Sequence, residues 1–287
     1  MKTGMFIGVA GLDCVYEQSV LPSENEKSKT YKYNTCIGGP AANAAITYTL
    51  LGGKAILVSC IGNSILGLEI KSKLKEHGIK VIDAIESSTM LPMLASISIN
   101  PETGSRTVWS GQNKLDKEIE IDIDEELKEA DFCLFDCNQP EVSLPILKKA
   151  YMLNKEIVLD AGSWKETSIE FLQKASTAIA SFNCIPPKEL GSFFDIARKS
   201  EVKKIAITNG EKQIKWEEGS RGGGITPPVV KAVDTLGAGD VFHGAYCHFA
   251  FNKNQLFENA LKSASIVAAN KCKHYGISKT SIIEEPS

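Results

Sequence analysis

No stretch of the chain approaches the ~20 consecutive apolar residues that a membrane-crossing helix needs. Met1 to Val9 carries a single Lys and lacks the apolar core of a secretion signal, so a cytoplasmic protein is expected. Charge of one sign is equally scarce. Lys and Arg number 32 against 35 Asp and Glu, a net charge of -3, which gives no electrostatic footprint for a nucleic-acid backbone or an anionic membrane surface. The four His residues, at 77, 243, 248 and 274, show no metal-ligand grouping. Eight cysteines are spread singly from Cys14 to Cys272, and the nearest pair, Cys133 and Cys137, has no matching His or Cys cluster. They read as free, mostly buried thiols. Tandem repeats and low-complexity tracts are missing. So are a Gly-x-x-x-x-Gly-Lys-Ser/Thr loop, a protein-kinase catalytic motif and a Gly-x-Ser-x-Gly elbow, which removes the usual support for several enzyme classes.

What the chain does contain is an alternation. Short apolar runs rich in β-branched residues fall at Met5–Ala10, Ala55–Ile61, Phe132–Phe135, Glu156–Leu159, Thr177–Ala180 and Lys203–Ile207. They are continuous rather than alternating, the pattern of strands covered on both faces. Between them, helical periodicity marks Ala41–Leu51, Leu66–His77, Glu141–Leu153, Ala238–Phe251 and Gln255–Lys271. The expected fold is α/β, a central, mainly parallel sheet with helices on both faces, in one domain spanning 1–287.

Two regions interrupt that order, roughly 14–37 and 94–110. The second reads as a hairpin, with Ala95–Ile99 and Arg106–Ser110 flanking the turn at Asn100–Gly104. Strands inserted without helices suggest a small β lid over the carboxyl ends of the main strands, where ligands bind in open α/β sheets. Arg221-Gly-Gly-Gly224 reads as a mobile surface loop.

The strongest chemical signal is the run from Ala232 to Gly244. Gly237, Ala238 and Gly239 have little or no side chain and precede an apolar helix, so their backbone N–H groups can converge on an anion at a helix start. Asp240 falls in the first turn beside that hole, where a carboxylate suits taking a proton from an attacking hydroxyl. Helix capping by Asp234, Thr235 and Asp240 is the plainer alternative. The whole run, Asp234-Thr-Leu-Gly-Ala-Gly-Asp240, resembles the second signature of the ribokinase-like, PfkB-type sugar kinases. Gly38-Gly-Pro-Ala-Ala-Asn43, followed by Leu51-Gly52 and Val58-Ser-Cys-Ile-Gly62, resembles the first.

The resemblance implies the ribokinase-like fold with a β lid, a sugar as acceptor, ATP as phosphoryl donor and Mg2+ as its companion. It assigns Asp240, Gly237, Ala238 and Gly239 to catalysis. Asp13, taken to sit at the end of the first strand, would bind the sugar with Gly39, Asn43 and the lid residue Arg106. Thr208, Gly210 and Thr235 would border ATP with Gly237 and Gly239. Metal ligands stay unassigned, because Asn183 and Glu189 have the wrong separation for the family's Asn-x-x-Glu element. His243 is expected to pack beside Asp240. Within the family the blocks look most like members acting on ketohexoses and related sugars. Lys27 leaves an anionic sugar open, beside the plainer reading of a solvated lysine. A nucleoside kinase of the same fold, using Tyr16, Tyr31, Tyr33 and Trp109 for stacking, and a noncatalytic interaction protein are the alternatives. A homodimer paired through the lid is expected.

Overall fold

The computed structural model of the chain describes residues 1–103, 105–111 and 115–283. The described residues form the strands β1 (Thr3–Ile7), β2 (Gly11–Glu17), β3 (Tyr33–Gly38), β4 (Lys54–Ser59), β5 (Lys80–Asp83), β6 (Met93–Ile99), β7 (Arg106–Gly111), β8 (Phe132–Phe135), β9 (Glu156–Ala161), β10 (Thr177–Ser181), β11 (Lys204–Asn209), β12 (Lys212–Glu218) and β13 (Arg221–Ile225), and the six apolar runs fall on β1, β4, β8, β9, β10 and β11. The helices are α1 (Pro40–Leu50), α2 (Ile65–Glu76), α3 (Asp124–Glu129), α4 (Pro140–Met152), α5 (Ser168–Leu172), α6 (Phe193–Lys199), α7 (Ala238–Cys247), α8 (Phe257–Cys272) and α9 (Lys279–Ile282), and the five periodic segments fall on α1, α2, α4, α7 and α8.

Nine of these strands make the main sheet, in the order β13-β12-β11-β10-β9-β8-β1-β4-β5. From β11 to β5 the pairing is parallel, and β12 and β13 add an antiparallel edge. Residues alternate between two cores along each central strand. Phe6, Leu57, Phe132 and Leu134 pack under α1, α2, α7, α8 and α9, whereas Met5, Ile7, Val58 and Phe135 pack under α3, α4, α5 and α6. That two-sided burial is why the runs are apolar throughout. In the first core Phe132 stacks on Phe251 with ring centroids 4.2 Å apart.

The remaining four strands form the lid sheet, ordered β3-β2-β6-β7, with β2 and β6 parallel and the other pairs antiparallel. The expected hairpin is β6 and β7, although Gly104 of its turn lies outside the described residues. Three expectations need correction. Asp13 does not end the first strand: β1 stops at Ile7, and Asp13 lies inside β2, a lid strand that begins only at Gly11. Arg221-Gly-Gly-Gly224 is not a loop but edge strand β13, paired with β12 through Trp216 and Glu217. The helix starting at Ala238 is regular only to Cys247, and a wider π turn carries His248–Asn252.

α7 lies close against α1. A Cβ added at Gly244 would collide with the Ala44 carbonyl, so this glycine permits the approach that brings the starts of the two helices together. Both helix starts face the same end of the sheet as Gly8 after β1, Asp136 after β8 and Asp160 near the carboxyl end of β9.

Candidate active site

Gly237 caps α7 in the left-handed region, with φ 70°, a conformation that glycine adopts without a Cβ penalty. Ala238 N–H turns back to Thr235 O and Val241 N–H bonds Gly237 O. The N–H groups of Gly239 and Asp240 between them belong to the first turn, which has no intrahelical acceptors. A Cβ on Gly239 would meet nothing within 4 Å. The helix start therefore presents donors and a favourable dipole to open space, the physical requirement for an anion site.

Asp240 stands in that turn. Its Oδ2 accepts a hydrogen bond of 2.8 Å from Asn43 Nδ2, which joins the two sequence blocks across the α1–α7 contact. Asn43 is buried, and its Oδ1 has no hydrogen-bond partner among the described residues. A buried acceptor left unpaired costs roughly 1–3 kcal/mol, so this oxygen calls for a donor that the protein itself does not supply. Burial and the nearby Asp160 carboxyl raise the pKa of Asp240, against the lowering effect of the Asn43 bond.

Asp13 is buried on β2, and the carboxyl fills the space that a Cβ at Gly38 would occupy. Burial first, and Asp240 second, push its pKa up to about 6. Asp13, Val15 and Glu17 of the lid line a cleft of about 420 Å³ together with Asn43 and Gly237. The strand alternation turns Tyr16 to the other face, where it borders a separate depression with Tyr31, Tyr33 and Trp109. Tyr33 also reaches the rim of the first cleft. Most of the aromatic set weighed for nucleoside stacking thus lies away from Asp13. Lys27 is exposed, and the cations at the cleft are Lys32, paired with Glu17 at 3.2 Å, and Lys73.

Gly39 caps α1, but its Cα packs against the Val9 carbonyl, so the glycine seats the helix start on the β1–β2 connection. Arg106 of β7 reaches across from the lid, and its Nη1 donates to Thr235 Oγ1 at 2.8 Å. Thr208, at the end of β11, donates to Ala180 O at 3.3 Å, and Gly210 makes the turn into β12 with φ 56°. No hydrogen bond or ion pair among the described residues joins Thr208 or Gly210 to the Asp240 cluster. Asn183 and Glu189 are exposed, and no group of three or more His, Cys, Asp or Glu among the described residues is arranged to hold a metal. A magnesium ion needs few protein ligands when it arrives on phosphates, and this donor set fits that mode and not a protein-built cage.

His243 is buried one turn after Asp240. Its ring nitrogens lie 2.8 Å from Gly239 O and 3.2 Å from Ile179 O, with Asp160 Oδ2 at 3.3 Å. Burial lowers its pKa, while the two carbonyls and Asp240 pull the other way. Sequence reasoning missed Asp136 and Asp160. Asp136 accepts from Val9 N at 2.8 Å, Asn138 N at 2.8 Å and Ala41 N at 3.3 Å, which ties β8 to the β1–β2 connection and the start of α1. Burial raises the pKa of both carboxyls. Their signal was available, since each is an acidic residue at the carboxyl end of an apolar strand. Also missed was Lys271, which is fully buried against Asp234.

Comparison with known proteins gives a consistent picture. A family model described as pfkB family carbohydrate kinase matches residues 1–283. A ribokinase of Bacillus subtilis is 24% identical, covering 96% of this chain and 94% of its own. A deoxyribokinase of Salmonella typhi is 25% identical over 92% and 90% of the two chains. The structure of Arabidopsis thaliana ribokinase in complex with ribose and ATP shares the fold with a TM-score of 0.77 at 19% identity, covering 98% of this chain and 95% of that one.

Proposed function

Since the chain belongs to the pfkB family of carbohydrate kinases, and thus phosphorylates a sugar with ATP, we propose that Asp240 is the base that activates the acceptor hydroxyl. The observation that carries this reading is the Asn43 bridge. Nδ2 fixes the Asp240 carboxylate at 2.8 Å while Oδ1 waits, buried and unpaired, at the edge of an open cleft.

The chemistry follows from charge and position. A carboxylate with a raised pKa is a stronger base once ionised, and a base near the operating pH transfers protons most effectively. Asp240 takes the hydroxyl proton as the sugar oxygen attacks the γ-phosphorus of ATP. The N–H groups of Gly239 and Asp240, with the dipole of α7, stabilise the negative charge spread over the transferring phosphoryl oxygens. Gly237 and Ala238 shape that hole, and Thr235 holds Arg106 where its guanidinium neutralises the same charge. Asn43 Oδ1 and Asp13 accept hydrogen bonds from other sugar hydroxyls, while Gly39 seats the start of α1. Thr208 and Gly210 border the nucleotide. Magnesium, needing few protein ligands, would be carried by the ATP phosphates and would supply charge neutralisation there.

The relatives named for ribose and deoxyribose favour a free pentose over the ketohexoses that the motifs suggested. A panel of pentoses, deoxypentoses, ketohexoses, sugar phosphates and nucleosides, scored by ADP release, tests this. Equimolar ADP and sugar phosphate from a free pentose is the expected result, and faster turnover of a nucleoside would replace the reading. We also infer a homodimer through the lid. Tyr16, Tyr31, Tyr33, Val108 and Trp109 are exposed, more apolar surface than so small a sheet leaves open without cause. Sedimentation showing monomer alone at micromolar concentration would remove this inference. We read the chain as one domain carrying the four-stranded lid, and no helix among the described residues is long and apolar enough to cross a membrane.

A further inference from the structure

Lys271, in the last turn of α8, is fully buried, and its charge is used on one residue. Nζ lies 2.7 Å from Asp234 Oδ2 and 3.0 Å from Asp234 O. The same Oδ2 accepts Gly276 N–H at 3.0 Å, and Oδ1 accepts Leu236 N–H at 2.8 Å. The N–H groups of Val233 and Asp234 both bond Cys272 O, at 2.7 and 3.2 Å. The ammonium is thus the centre of a knot that fastens 233–236 to 271–276. One residue beyond the knot is Gly237, the cap of α7, and inside it is Thr235, which holds Arg106.

Stability alone does not explain this arrangement. Replacing a buried ion pair by apolar side chains of similar volume is often neutral or stabilising. An apolar pair, however, offers nothing to the Asp234 carbonyl or to the N–H groups of Leu236 and Gly276, and would leave the turn before the anion hole without its anchor. Resting on the kinase reading above, we propose that Lys271 is a tethered cation that positions the phosphoryl-binding turn through Asp234. It acts through the turn and touches neither sugar nor nucleotide. A carbonyl and a carboxylate oxygen around one small positive charge would equally suit a free monovalent cation. The covalent tether makes the enzyme independent of any such ion, and removing the amine should create a vacancy that a small cation can refill.

The test is Lys271→Ala, assayed with saturating ATP and sugar in tetramethylammonium buffer, with and without ammonium chloride at constant ionic strength. The expected result is a fall in kcat of about tenfold to a hundredfold, less than the ~10²–10³ lost when an oxyanion donor is removed outright because the donors here are only displaced, with sugar KM unchanged. Ammonium should restore most of kcat and raise the thermal midpoint, and tetramethylammonium should do neither. A folded variant with wild-type kcat, or one that ammonium does not restore, overturns the proposal. If the variant does not fold, the wild type decides: its kcat should be indifferent to ammonium and potassium, and a rise of about tenfold on adding either overturns the proposal. Absence of sugar-dependent turnover in the wild type would instead overturn the kinase reading itself.

Discussion

Asp234 and Asp240 flank the same glycine turn and have opposite environments. Asp234 has both oxygens engaged, by Lys271 Nζ and by the N–H groups of Leu236 and Gly276. Asp240 has the Asn43 amide on one oxygen and faces carboxyl neighbours, and its pKa is raised. A carboxylate saturated by a counter-ion and two N–H donors is fixed in place. One that is desolvated, like-charged with its surroundings and singly bonded can take a proton and release it. Within one turn, the number of partners separates the residue that positions from the residue that reacts.

The contrast can be broken first at the saturated end. Asp234→Asn keeps the shape but leaves the Lys271 ammonium buried without its counter-charge, and the denaturation midpoint should fall by the equivalent of about 3–5 kcal/mol. A loss below about 1 kcal/mol would place Asp234 among ordinary surface pairs.

Asp13 sharpens the contrast from the other side, because its carboxyl accepts no hydrogen bond among the described residues and is held above its ordinary pKa. The folded pKa of about 6 exceeds the unfolded value, so stability from this group is full below about pH 4 and is lost as pH rises through about 6. Asp13→Asn should therefore match wild type in acid and exceed it by about 3 kcal/mol at about pH 8. Its sugar KM should rise while its ATP KM does not. A variant that is less stable at high pH, or one impaired only towards ATP, would remove Asp13 from the sugar site.

The smallest effect is expected at the lid. Arg106→Gln should lower kcat by about tenfold, or ~1.4 kcal/mol, by removing one partly exposed charge from the phosphoryl group. A change confined to sugar KM would reassign Arg106 to sugar recognition.

The sequence exposed those parts of the molecule whose physics is local. Strands buried on both faces must be apolar throughout, and a helix start that meets an anion must be built from small residues, so the central strands β1, β4, β8, β9, β10 and β11 and the 237–240 turn could be read directly, whereas the edge strands β5, β12 and β13 were not. Asp13 was misplaced because Gly4 to Leu12 is nearly all small or apolar, and nothing in it marks the end of β1 and the start of β2. The glycines at 222–224 looked like a loop, yet an edge strand can do without side chains where neighbours fill the space, as Gln213 does over Gly224. Lys271 was invisible for another reason. A lysine late in an amphipathic helix resembles a solvated one until its distant partner, Asp234, is brought against it.

The claim that the less saturated carboxylate does the chemistry is tested most directly by single-turnover transfer of the γ-phosphoryl group from saturating ATP to saturating sugar, in wild type and Asp240→Asn. The account predicts a transfer rate lower by about 10² to 10⁴, with ATP affinity and denaturation midpoint close to wild type. Equal transfer rates in the two proteins would contradict it.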